Sequence, residues 1–263
     1  MKNEAIEVYL LAKPQVDWQE ISSWVKKMGG SDWVDRTFSA HIESPTELIA
    51  EVAGRRCYRS FDVGLNPNVT KIRNDRKEYL NNIISVGHGS VLEHGMFTFA
   101  FENISRVVTH ELVRHRVGTA ISQESMRYVR LEDVPFRHPE FIDDDPELRA
   151  EADDLIERME RFQRRMAERT GIDSEGVPFH QKKIVTSSMR RYAPIGLLTG
   201  MVWSANVRTL RQVIEARTAE GAEQEIRDLF DIVAQIMTTE CPTLFGDFER
   251  NYAGEWIPKR SKV

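Results

Sequence analysis

The sequence predicts an α+β fold, a single domain over residues 1–263 with a mixed or antiparallel sheet flanked by several long helices. Three observations carry that expectation. Apolar residues alternate with a two-residue period in short segments near residues 6–11 and 95–101, the pattern of strands with one buried face. They recur at helical spacing in several longer segments. No internal repeat, low-complexity tract or linker divides the chain, which favours one layered domain.

Taken in order, Ile6, Val8 and Leu10 alternate with Glu7, Tyr9 and Leu11, which suits a strand with one well-buried face, and a helix is expected after it. Ser44-Pro45-Thr46 starts the next helix, because a hydroxyl can cap the free amides and proline at the first position loses no bond. That helix runs through Ile49, Val52 and Ala53 to near Tyr58. Asn66-Pro67-Asn68 marks a turn before a helix over about 72–86. Phe97, Phe99 and Phe101 then fall on one side of a strand, with Met96, Thr98 and Ala100 on the other. Ile104, Val107, Val108 and Leu112 give a helix over 104–113. Past Tyr128 a Pro- and Asp-rich connector leads to Asp145 and Pro146, cap and first residue of a long amphipathic helix. Its apolar stripe is Leu155, Ile156, Met159, Phe162 and Met166, and Gly171 stops it. A shorter helix over 180–188, a strand over 197–204, and a helix in a second basic region that begins at Asn206 follow. The last of these is built on Val207, Leu210, Val213 and Ile214 and carries Arg208, Arg211 and Arg217. The final helix uses Ile226, Leu229, Phe230, Val233 and Met237 and ends at Cys241-Pro242.

Composition bounds the function. With 263 residues, 41% hydrophobic and 29% charged, the chain can bury a core without staples. Cys57 and Cys241, the only cysteines, have no paired spacing, which argues against a disulfide framework or thiolate metal site and for a reducing cytoplasm. No apolar run is long enough for a spanning helix or a secretory leader. A net charge of −5 argues against general nucleic-acid binding, so any basic patch is local.

One such patch stands out. Arg114-His115-Arg116 at a helix end is followed by the run from Ser122 to Tyr128, Ser-Gln-Glu-Ser-Met-Arg-Tyr. Guanidinium groups keep their charge and present a planar fork matched to phosphate oxygens, so the density points to a polyanion, a nucleotide in particular. The alternative, a solvated helix face with ordinary ion pairs, fits poorly because only Glu111 and Glu124 lie close by in sequence. A helix C-terminus carries partial negative charge, so side chains must supply the attraction. Neither a Gly-x-Gly-x-x-Gly nor a Walker-type loop is present. No metal site is expected: His110 and His115, five residues apart, would lie roughly 140° apart around a helix. A metal-dependent nucleotide phosphohydrolase and a noncatalytic nucleotide-binding module are the alternatives to a redox enzyme.

Arg114-His115-Arg116 followed by Ser125-x-Arg127-Tyr128 resembles the signature of the flavin-dependent thymidylate synthases. Gly87-His88-Gly89-Ser90-Val91-Leu92-Glu93-His94 before Phe97-Thr98-Phe99 is similar to that family's Gly-His-x-x-x-x-Glu-His element. The segment from Trp203 to Leu210, with Glu215-Ala216-Arg217 and Cys241-Pro242, resembles its later elements. The likeness covers about residues 48–248.

The resemblance implies reductive methylation of dUMP to dTMP, with methylenetetrahydrofolate as carbon donor and NADPH as reductant through bound FAD. It implies a homotetramer whose flavin sites draw residues from several subunits. Carried over residue by residue, it places His88, Ser90, Arg114, His115, Arg116, Gln123, Asn206, Arg208 and Gln212 around FAD. Around the nucleotide it places Glu111, Arg114, Gln123, Glu124, Ser125, Met126, Arg127, Arg190 and Arg217. Arg217 resembles the arginine that polarises the uracil ring, and Ser125 resembles a group that orients substrate. The chain departs from the pattern twice. The spacing from Arg116 to Ser125 is one residue longer, with Gly118 able to absorb the change, and Glu111 stands where a glutamine is usual.

Overall fold

A computed structural model of the chain describes residues 4–38, 44–127, 135–261 and 263. Tyr128 and the first part of the Pro- and Asp-rich connector lie outside the described residues. Strand β1 (Glu7–Ala12) is followed by helices α1 (Trp18–Lys27) and α2 (Ser31–Phe38). The inner face of β1 is half-buried rather than well buried, because this strand ends the sheet and has a neighbour on one side.

Helix α3 (Pro45–Tyr58) starts as its sequence dictates: Ser44 Oγ accepts from Glu47 N at 3.4 Å, and Arg59 closes it in the left-handed region at φ 50. Helix α4 (Arg76–Ser85) begins later than the expected residue 72. Asp75 is the reason, since its carboxylate takes Glu78 N at 2.7 Å and sets the first turn. A 3-10 turn, Gly89–His94, leads into β2 (Met96–Ser105), with Phe97, Phe99 and Phe101 fully buried on one side. The strand runs past the expected end. Asn103, at φ 59, breaks the alternation and turns Ile104 inward, so that residue belongs to the strand and not to the helix. Ser105 then caps α5 (Arg106–Leu112) through Val108 N at 3.4 Å.

The segment after Arg116, for which the sequence analysis assigned no strand, contains strand β3 (Thr119–Gln123). Its ends are fixed by backbone bonds from Asn206 N to Gly118 O at 3.0 Å and from Glu124 N to Gly200 O at 3.1 Å, in one antiparallel register. Then come α6 (Glu140–Asp143), α7 (Pro146–Thr170), α8 (Phe179–Met189), a 3-10 turn (Arg190–Tyr192), β4 (Leu198–Asn206), α9 (Val207–Thr218) and α10 (Gln224–Glu240). Strands β5 (Phe248–Arg250) and β6 (Trp256–Pro258) form a short antiparallel pair that the sequence reading did not anticipate, each being only 3 residues long. The main sheet has the order β1-β2-β4-β3 and is antiparallel, so the α+β expectation holds.

The chain divides into two compact units. The first comprises Met1–Glu7, Ala100–Arg114 and Ile121–Val202; the second comprises Val8–Phe99, His115–Ala120 and Trp203–Val263. In the second unit Phe99, Trp203 and Phe230 pack ring on ring, with centroids 6.3 and 5.7 Å apart. Burying each such side chain contributes about 1.5–3 kcal/mol. The same unit holds a polar knot on α3. Arg55, 1% exposed, donates to Glu51 Oε1 at 2.8 Å and to Ser60 O at 2.8 Å, while Arg76 Nε donates to Glu51 Oε2 at 2.8 Å. Both glutamate oxygens are thus satisfied, which is what makes so buried a charge tolerable. Further along, Arg211 holds Asp247 with two bonds of 2.7 and 2.9 Å and fixes the end of the chain to α9.

In the first unit the stripe of α7 does not behave as one buried face. Ile156, Gln163 and Ala167 turn inward, with Gln163 Nε2 reaching Met189 O and Tyr192 O at 3.2 Å each, whereas Leu155 and Phe162 are exposed. Both cysteines are free, and burial pushes the Cys241 thiol up to about 12.

Candidate functional site

Of the nine residues that the resemblance places around the flavin, seven lie in the second unit, on α9, at its cap and in the segments 88–90 and 115–116, while Arg114 and Gln123 belong to the first. Asn206 caps this helix, its Oδ1 accepting from Thr209 N at 2.9 Å. Two backbone carbonyls of the 115–118 loop are bound by the same first turn: Val117 O by Thr209 Oγ1 at 2.8 Å, and Gly118 O by Asn206 N at 3.0 Å. Gly118 lies at φ +69, and a Cβ there would come within 2.3 Å of Asn206 Nδ2, so glycine alone fits. The loop thereby sets His115 against the last turn of α9, where Arg217 Nε donates to His115 Nε2 at 2.9 Å.

That bond fixes the imidazole's chemistry. Nε2 accepts, so the ring is neutral with its proton on Nδ1. Burial, and then the neighbouring Arg217 charge, hold the His115 pKa below its ordinary value. Arg208 and Gln212, four residues apart, share one face of α9 and are exposed; Arg217, nine residues beyond Arg208, points from the opposite side. Arg208 pairs with Glu93 at 2.6 Å and lies over Gly89, where a Cβ would come within 2.8 Å of its Nε. Next to this glycine, His88 Nδ1 is buried with no hydrogen-bond partner, while Ser90 and Arg116 are exposed. An orphaned donor or acceptor beside a glycine seat and an arginine is a fit for a polar cofactor carrying phosphates.

In the first unit a second cationic group forms. Arg127 Nε donates to Ser187 Oγ at 3.0 Å and Arg190 Nε donates to Ser187 O at 3.1 Å, so two guanidiniums converge on one residue of α8. Ser125 Oγ accepts from Arg127 N at 3.4 Å, and Met126 packs against Leu197 and Ala193. Glu124 Oε2 accepts from Thr199 Oγ1 at 3.5 Å, and Gln123 Nε2 donates to Thr109 Oγ1 at 3.0 Å. Arg114 folds back on His110 O at 3.4 Å, and Glu111 is half-buried on the last turn of α5.

The structure adds one candidate that the sequence reading did not name. Arg106, first residue of α5, donates to Glu124 O at 3.5 Å, and burial followed by the charge of Arg190 lowers its pKa. A half-buried cation beside another cation is a candidate group for binding an anion. Its position was legible as the residue after the Ser105 cap, but the apolar periodicity assigned that segment to the helix interior.

Among the described residues no three His, Cys, Asp or Glu side chains are grouped to hold a metal ion, and no helix is long and apolar enough to cross a membrane. Residues 39–243 match the family model of the thymidylate synthase complementing protein. The chain is 34% identical over 219 residues to a flavin-dependent thymidylate synthase of Corynebacterium glutamicum, covering 82% of this chain and 84% of that protein. It is 36% identical over 211 residues to one from Mycobacterium marinum, covering 77% and 80%. Among solved structures, Thymidylate Synthase X from Helicobacter pylori with FAD and dUMP superposes with a TM-score of 0.56 at 23% identity, covering 76% of this chain and 93% of that one, a likeness of fold. By its signature residues, its family-model match and the extent of its relatives, the chain belongs to the flavin-dependent thymidylate synthase family.

Proposed function

We propose that the chain converts dUMP to dTMP by reductive methylation, as a single catalytic domain assembled as a cytoplasmic homotetramer. Methylenetetrahydrofolate is the carbon donor and NADPH the reductant. FAD, when bound, relays the hydride, and His88, Ser90, His115, Arg116, Asn206, Arg208 and Gln212, together with Arg114 and Gln123, would hold it. The observation that carries the reading is the convergence of Arg127 and Arg190 on Ser187 with Arg106 alongside, a ready seat for a monophosphate.

The roles of the other groups follow from what the reaction demands. Uracil is a poor carbon nucleophile, so a guanidinium against its carbonyl stabilises the anionic ring and enriches the reacting carbon. Arg217 is assigned that work, with neutral His115 holding it in place. Binding energy from the phosphate, remote from the reacting carbon, fixes the ring in reactive geometry. Ser125 orients substrate. Its hydroxyl oxygen is engaged by Arg127 N, which favours orientation over attack on the ring. Glu111, Glu124 and Met126 complete the nucleotide set.

The test is a single reaction mixture. Purified protein should be yellow, release FAD on denaturation, and form dTMP from dUMP, methylenetetrahydrofolate and NADPH, with turnover lost in Arg217→Ala. A colourless protein that binds dUMP without forming product would be a binding module, and phosphate release on adding a divalent metal would make it a hydrolase.

A further inference from the structure

Within the second unit, the end of α3, the loop after it and α4 line a cavity of about 400 Å³ to which the reaction above assigns no role. Its most buried part is polar. Ser60 and Tyr79, 9% and 6% exposed, both line it, and Ser60 Oγ and Tyr79 OH are buried with no hydrogen-bond partner. Burial, opposed by the charge of Arg55, pushes the Tyr79 phenol up to about 12, so it keeps its proton. Should the two hydroxyls bond each other, one of their two protons would still lack an acceptor. A buried donor left without a partner is costly, and marks a place for an acceptor from outside the chain.

Charge selects an anion. Arg55, Lys71 and Arg73 line the cavity, and no carboxylate does among the described residues. Glu51 matches Arg55 at 2.8 Å and Glu78 lies 3.4 Å from Arg73, whereas Lys71 makes no ion pair among the described residues. Residues 55–77 carry seven Arg or Lys against two Asp, in a chain of net charge −5, so the local field is positive. Shape narrows the choice. Val69, Ile72, Ile83 and Val86 supply apolar walls, and exposure rises from 2% at Ile83 to 64% at Val86, which places the mouth there. Apolar walls leading to buried hydroxyls suit a carboxylate on a methylene stem; a sugar phosphate would press its own hydroxyls against isoleucine and valine. Tyr58, also in the lining, meets His88 edge to face with ring centroids 5.6 Å apart, and His88 is a member of the flavin set.

We propose that this cavity seats the glutamyl carboxylate tail of the carbon donor, which presupposes the reaction proposed above. Methylenetetrahydrofolate carries its reactive carbon beside the pterin and its carboxylates at the far end of the molecule. A donor whose pterin meets the flavin beside His88 passes its tail over Tyr58, with Ser60 Oγ and Tyr79 OH donating to a carboxylate and Lys71 neutralising it. Binding energy gathered there, away from the reacting carbon, holds the pterin for transfer.

The test is calorimetric titration of the FAD-loaded full chain with dUMP, using two probes: pteroylglutamate, and pteroate, the same ring system without the tail. The parent should bind pteroylglutamate about tenfold or more tighter than pteroate. Ser60→Ala with Tyr79→Phe should bring that ratio to about twofold or less with pteroate affinity unchanged, and Lys71→Ala, at an exposed position, should lower it at least about threefold. In the ligand-free protein Tyr79→Phe should hold or raise the thermal midpoint, because a hydroxyl without a partner stabilises nothing. A ratio near one in the parent, a ratio the variants do not move, or a midpoint several degrees lower overturns the seat. If the variants erase a preference for NADPH over NADH and spare the pteroate ratio, the cavity takes a phosphate and the proposal falls. A parent that forms dTMP without preferring the tail refutes the seat alone; one that forms no dTMP refutes the reaction and the seat with it. Should the double variant unfold, Lys71→Ala decides.

Discussion

His115 is the sharpest place to test how the site works. The Arg217 Nε to His115 Nε2 bond of 2.9 Å has a charged donor and a partly buried acceptor. Hydrogen bonds to charged groups contribute about 1.5–3 kcal/mol, and solvent access to this half-buried pair brings that down to about 1–2 kcal/mol. Since each 1.4 kcal/mol is a factor of ten in rate, His115→Leu should lower kcat by about 5- to 30-fold if Arg217 works on the ring. His115→Gln offers a neutral carbonyl at similar reach and should recover most of it. The pH dependence separates positioning from packing. The folded pKa is lowered, so the acceptor persists somewhat below the ordinary value of about 6.5 and is lost as pH falls further, when Nε2 gains a proton facing a guanidinium. The wild type should therefore show an acid limb in kcat that His115→Gln lacks. Rates of dTMP formation at saturating FAD, measured from pH 5 to 8, decide it, at pH values set by the experiment. An unchanged kcat in His115→Leu, or an acid limb that survives in His115→Gln, refutes the reasoning.

Three further outcomes are expected. Gly118→Ala combines left-handed strain of about 1–2 kcal/mol with displacement of the Asn206 cap, worth about 0.5–2 kcal/mol, so its thermal midpoint should fall by several degrees and FAD binding should weaken; an unshifted midpoint shows that the loop yields freely. Arg106→Ala should raise the KM for dUMP at least fivefold with a smaller effect on kcat, and equal loss in both would place Arg106 in the chemistry instead. Arg211→Met removes the bonds to both Asp247 carboxylate oxygens and should cost about 3–5 kcal/mol by denaturant titration, with a cost under about 1 kcal/mol showing that water replaces the guanidinium.

The parts of the fold that local chemistry dictates were legible. Ser44 and Asp145 cap the helices they were expected to start, Gly171 closes α7 in the left-handed region at φ 61, and the three phenylalanines of β2 share one buried side. What escaped depends on partners distant in sequence. Residues 119–123 carry no strand in the sequence reading because their alternation is too short to register, and they become a strand only through bonds to β4. The stripe of α7 was identified correctly as apolar, but its division between core and surface is set by what packs on it. At the site, the motif supplied the candidate residues, while the arrangement that unites Arg127 and Arg190 at Ser187 and sets Arg106 beside them is tertiary and left no trace in spacing.

The three bonds between the 115–118 loop and α9, at Val117 O, Gly118 O and His115 Nε2, span the first and last turns of one helix. Loop and helix must consequently translate and rotate together, as a single rigid body. Any rearrangement that accompanies ligand entry has to be taken up elsewhere in the backbone, and a change that alters the pitch of α9 at Asn206 is felt at the imidazole without touching it.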